Sequence, residues 1–129
     1  MTRPGPALPA PGTRAAVALG LDVVIVAAFT LVGRRTHEEP LDPAGWWHTA
    51  WPFLVGLLIG WSLVVLARRA WPTGTVEGIP VWTTTVIVGM VLRALAGQGT
   101  ALPFVIVATL VLGVTLLGWR LVAGRLARA

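Results

Sequence analysis

Apolar runs about as long as a bilayer core requires, roughly 20 helical residues, occupy residues 15–33, 50–67, 81–97 and 102–119. Polar, turn-forming stretches separate them. Arg34 to Thr49 carries Glu38, Glu39, Pro40, Asp42 and Pro43, the loop leading to Pro80 is rich in Thr, Gly and Pro, and Gln98-Gly99-Thr100-Ala101 makes a tight connection. This pattern predicts an all-α integral membrane bundle of four transmembrane helices in one domain, residues 15–123. Residues 1–14, with four prolines and two glycines, read as a disordered tail, and residues 124–129 as a short basic tail. The first run ends in arginines and is followed by more spans, so it is expected to be retained rather than cleaved as a signal peptide. Pro52-Phe53 and Pro103-Phe104 both open runs that end in arginine, which suggests two repeated helical hairpins.

Composition agrees with a membrane protein. Of the 129 residues 56% are hydrophobic and 12% are charged, whereas soluble chains average about 25% charged. Mean hydropathy is +0.81 and the isoelectric point is near 11.8. No nucleic-acid partner is expected, because the arginines stand singly or in pairs at the ends of apolar runs rather than on a phosphate-binding face. With no cysteine there are no disulfides or thiolate metal sites. All ten basic residues are arginine; with abundant Ala, Gly, Val and Pro, that points to a prokaryotic chain from a GC-rich genome.

Arginine placement predicts the topology. Arg3, Arg14, Arg68, Arg69, Arg120, Arg125 and Arg128 fall on one side, and Arg34 and Arg35 on the other, joined by Arg93 if it counts as flanking. By the positive-inside rule both termini are cytoplasmic in a multi-pass plasma-membrane protein. His37, His48 and three of the five acids then lie outside. Trp46, Trp47, Trp51 and Trp119, with Arg120, read as interfacial anchors. The bilayer itself is the first partner implied. Gly33 and the Gly56-x-x-x-Gly60 spacing mark candidate close packing of helices, either within the chain or against a second copy or another membrane protein.

One residue breaks the apolar pattern. Asp22 sits inside the first run, where a carboxylate costs about 2.5–3.5 kcal/mol at a helix centre. The ten large apolar residues between Val17 and Val32 return roughly 0.3–0.6 kcal/mol each, so the helix still inserts. Asp22 falls on one helical stripe with Val26, Phe29 and Gly33, which should face protein. Arg93 is a candidate partner for it across the first and third helices; the competing reading has Arg93 snorkel to the interface, and a protonated Asp22 is a third option. Together with Arg34 and His37 these residues form a candidate polar centre.

No catalytic arrangement is found. His37, His48 and the neighbouring acids lack a metal-ligand spacing, no phosphate loop or dinucleotide motif occurs, and no metal or cofactor is expected. Thr83, Thr84 and Thr85 are expected to bond back to helix carbonyls.

The ordered set of Asp22, Gly33-Arg34-x-x-His37, Pro52-Phe53-x-x-Gly56, Arg93, Pro103-Phe104 and Leu117-Gly118-Trp119-Arg120 resembles the small prokaryotic membrane proteins grouped as domain of unknown function 3054. The resemblance covers about residues 20–120. Thr36 stands where that family usually has serine, which preserves the hydroxyl. The resemblance implies a four-helix integral membrane protein and no particular activity. Three functions remain in view: a small binding or transport unit built on the polar centre, a structural or accessory subunit of a membrane complex, and, well behind, an enzyme acting on lipid head groups through His37.

Overall fold

The computed structural model describes residues 7–128, which form four antiparallel α-helices: α1 (Thr13–Thr36), α2 (Pro43–Arg68), α3 (Thr75–Leu95) and α4 (Leu102–Arg128). All four are long and apolar enough to cross a membrane. They form a ring in which α2 packs most extensively on α3, α3 on α4, and α1 more sparsely on α2 and α4. The diagonal pairs α1/α3 and α2/α4 make no close backbone approach.

Lipid tails are as apolar as leucine, so close packing and polar bonds hold such a bundle together more than hydrophobic transfer does. Gly56 and Gly60 lie against α3: a Cβ on Gly56 would sit 2.8 Å from the Thr85 carbonyl oxygen, and one on Gly60 would sit 3.1 Å from Val81 Cα. The GxxxG spacing is therefore used inside the chain. Gly33 is different; a Cβ there would meet nothing within 4 Å, so it is not a packing glycine. The buried core runs through Val26, Phe53, Leu57, Trp61, Leu112 and Leu116, while Val24, Leu66, Ile87 and Val114 face outward. Thr83 and Thr85 bond back to the carbonyls of Ile79 and Val81.

Several helices outrun their apolar spans. Asp42 caps α2 by accepting from Gly45 N at 3.2 Å, and Pro43 fills the first turn. Pro52 thus lies well inside the helix rather than in its first turn. It has no N–H for the His48 carbonyl four residues earlier; the Gln98 side chain donates to that oxygen instead, at 2.9 Å. This bond ties the α3–α4 connection to α2. At the other end α4 continues to Arg128 through the expected basic tail. Of the expected disordered tail, residues 1–6 lie outside the described residues and α1 already begins at Thr13. The Pro9 carbonyl accepts from Trp71 Nε1 at 2.9 Å.

Candidate functional site

The buried face of α1 reads Ala15, Ala18, Asp22, Val26, Thr30 and Arg34. It thus carries two charges, three helical turns or about 18 Å apart. Each organises a separate polar group, at opposite ends of the bundle.

Asp22, with 0% exposure, accepts four hydrogen bonds. Its Oδ1 takes Trp119 Nε1 and Arg120 Nη1, both at 2.8 Å, and its Oδ2 takes Trp61 Nε1 at 2.8 Å and Arg120 Nη2 at 2.7 Å. The Asp22–Arg120 pair is bidentate, the strongest arrangement open to these two side chains. The remaining donors of Arg120 are also satisfied: Nη1 reaches the Leu116 carbonyl at 3.0 Å, and Nε and Nη2 reach the Pro72 carbonyl at 3.2 and 2.7 Å. Room for the side chain comes from Gly78, where a Cβ would stand 2.6 Å from Arg120 Cδ. One cluster thereby ties α1, α2, α4 and the α2–α3 loop.

The expected polar centre of Asp22, Arg34, His37 and Arg93 is therefore corrected: it is split in two, and the partner of Asp22 is Arg120. Asp22 lies nine residues from the start of α1 and Arg120 eight from the end of α4, about 14 and 12 Å of axial rise from the same end of the bundle. Arg93 lies only two residues from the far end of α3, on a helix diagonal to α1. Arg120 and Trp119 are likewise not interfacial anchors, because α4 runs two turns past them and both turn inward. Trp46 also turns inward, donating to the Ala27 carbonyl at 3.3 Å and Thr30 Oγ1 at 3.1 Å. Trp51 is half-buried, and Trp47 remains exposed.

The second group gathers where the α1–α2 and α3–α4 loops meet. Buried Arg34 donates to the Pro40 carbonyl at 2.8 Å and, through Nη1, to Glu39 Oε2 and Thr49 Oγ1, both at 2.9 Å. Arg93 donates through Nε and Nη2 to the Gly99 carbonyl at 3.0 and 2.8 Å, and through Nη1 to Gln98 Oε1 at 2.9 Å. Its guanidinium lies 4.4 Å above the Phe104 ring, a cation–π contact. These residues surround a cavity of about 380 Å³, also lined by Phe29, Gly33, His37 and His48. Three of the four expected polar-centre residues thus share this cavity, without Asp22. Among the described residues no three His, Cys, Asp or Glu side chains converge on a metal position.

Trp61 and Pro72 were not singled out from sequence. A signal for Trp61 exists: an indole N–H in mid-span needs an acceptor, and Asp22 needed donors.

A family model described as "Protein of unknown function (DUF3054)" matches residues 19–123. The chain belongs to this family. The DUF3054 match takes in both polar groups, from Asp22 to Arg120, and leaves the last residues of α4 outside it. No curated protein and no solved structure matches the chain.

Proposed function

We propose that this DUF3054 protein is a membrane-embedded binding unit of the prokaryotic plasma membrane, with its ligand seated in the cavity between the two loops. The observation that carries this reading is the 380 Å³ cavity, which brings Arg34, Arg93, His37 and His48 to one wall-lined space beside two phenylalanines. Pockets with apolar walls and a few convergent polar groups are where ligands bind. Binding is favoured over conduction because Val26, Phe53 and Leu57, all fully buried, fill the bundle between its two polar groups. A pathway through so small a bundle would need several copies. With both termini cytoplasmic, as the arginine distribution supports, the cavity opens on the outer side.

Native mass spectrometry of protein extracted from its own membrane tests the reading. The wild type should carry a bound species that Gly33→Leu, which fills the cavity from an open position, releases. A ligand retained at full occupancy in Gly33→Leu sinks this site. Since the chain has no cysteine, a single Asp42→Cys substitution reports sidedness: it should react with an impermeant maleimide added outside intact cells.

The accessory-subunit reading has its own support. The Asp22–Arg120 cluster lines no part of the loop-end cavity and has every donor matched, as a purely architectural element would. A stable co-purifying protein, together with wild-type assembly of Gly33→Leu, would favour it.

A further inference from the structure

We infer that the cavity takes the oxyanion head group of an anionic amphiphile, with Arg93 as its charged contact; this rests on the binding reading above. The two arginines in the wall differ in how their charge is met. Arg34 is paired with Glu39 at 2.9 Å. Arg93 is held by Gln98 Oε1 and the Gly99 carbonyl, both neutral. Three of its N–H groups are used; a guanidinium has five, so about two remain for a ligand. The Phe104 contact and the two bonds to Gly99 hold the guanidinium in place, and a guanidinium held in advance suits phosphate or carboxylate. Glu39 is the one carboxylate in the wall, ion-paired with Arg34 and also acting electrostatically on Arg93, so two arginines against one acid leave a net positive charge that favours an anion over a cation.

An amphiphile fits better than a free anion because of what borders the site. Phe29 and Phe104, with ring centroids 6.3 Å apart, line the same cavity as the charges. All four helices contribute to the lining at their loop-proximal ends, and α1 and α4, the most sparsely packed neighbours among them, are pinned by Asp22 and Arg120 only toward the opposite end. Leu31 and Val32, between the lining residues Thr30 and Gly33 of α1, and Leu102, next to the lining residue Ala101, are exposed, apolar surface on which an acyl chain can lie.

The test uses the full-length protein in a neutral detergent, with thermal unfolding followed against three probes: dihexanoyl phosphatidic acid, dihexanoyl phosphatidylcholine and inorganic phosphate. Phosphatidic acid should raise the midpoint at concentrations where phosphatidylcholine does not, and phosphate should need at least about 100-fold more. Arg93→Gln should weaken phosphatidic acid about tenfold or more, the usual worth of a charge-assisted hydrogen bond. Arg93→Lys should fall between Gln and wild type. Because Arg93 also braces the Gly99 loop, Gly33→Leu serves as a second variant that blocks the cavity with Arg93 intact. Equal stabilisation by phosphatidylcholine, unaffected by Arg93→Gln but lost in Gly33→Leu, overturns the anionic class and leaves the binding site standing. Phosphate acting as well as phosphatidic acid overturns the amphiphile. If no probe binds and the native protein carries no ligand that Gly33→Leu releases, this inference falls together with the binding reading.

Discussion

Arg120 and Arg93 are both arginines placed within helices that face a bilayer, but their surroundings differ in kind. All five N–H groups of Arg120 are matched inside the protein, three residues converge on Asp22 with four hydrogen bonds, and both side chains have no exposure. Arg93 braces one loop, stacks on one ring and faces open space. The first arrangement can only hold structure, since nothing further can bind without breaking something. The second has capacity left over. Completeness of hydrogen bonding, more than the presence of charge, separates architecture from a candidate site in this bundle.

The largest expected effect lies at the closed end. Removing one partner of a buried pair strands the other charge, typically costing about 3–5 kcal/mol. Asp22→Asn and Arg120→Gln should each lower thermal stability in detergent by that order, and the double variant should recover part of the loss. A coupling energy of at least about 1 kcal/mol is expected for groups in contact. Asp22→Asn combined with Arg93→Gln should instead be additive. Additivity of Asp22 with Arg120, or coupling of Asp22 with Arg93, would reverse the assignment of partners.

Asp22 was legible in the sequence as the residue around which the chain is arranged, because a carboxylate inside an apolar run has few ways to be solvated. Its partner was not. Arginine at the end of an apolar run reads as a water-facing terminus, and Trp119-Arg120 stands at such an end. That reading fails because α4 continues to Arg128, which places Arg120 two turns inside a helix. A long side chain leans toward its helix N-terminus, and here that direction leads into the bundle. The number of helices and the small-residue spacing of Gly56 and Gly60 depend on local pattern and were readable, whereas the helix ends were not. Which helices are diagonal depends on the whole ring, which no local pattern records. The cavity was half-visible for the same reason: Arg34, His37 and Arg93 were grouped as polar residues near one end of the bundle, whereas Gln98 and His48 meet only because Pro52 frees a carbonyl.

A smaller effect is expected at Gly78. Alanine in a helix ordinarily gains about 1 kcal/mol over glycine. Here the new Cβ would stand 2.6 Å from Arg120 Cδ and 3.1 Å from Leu117 Cδ2, so the Arg120 stem must shift and its fork with Asp22 loosens. A net loss of about 1–3 kcal/mol is expected, within the range of overpacking. Stabilisation by Gly78→Ala would mean that the closed end has slack. Arg34→Gln should cost less, about 1–2 kcal/mol, because it removes the bonds to Pro40 and Thr49. The Glu39 it leaves behind is half exposed and can turn to water.

The smallest stability change, and the sharpest contrast, belongs to Gly33→Leu. Glycine inside α1 is unfavourable by about 0.8–1 kcal/mol relative to good helix formers, and a Cβ at this position meets nothing within 4 Å. A leucine there gains helix propensity and projects into a space bounded by Phe29 and Phe104. Thermal stability should therefore stay within about 1 kcal/mol of wild type or rise slightly, while ligand occupancy is lost. A leucine of similar bulk at Gly56 is expected to do the opposite, since the Thr85 carbonyl stands 2.8 Å from the new Cβ and α2 must part from α3. Comparing the melting midpoints of the two variants checks whether open and closed regions behave as their geometry requires. If Gly33→Leu melts as early as Gly56→Leu, the wall of α1 at the loop end is packed, and the cavity is not free space waiting for a ligand.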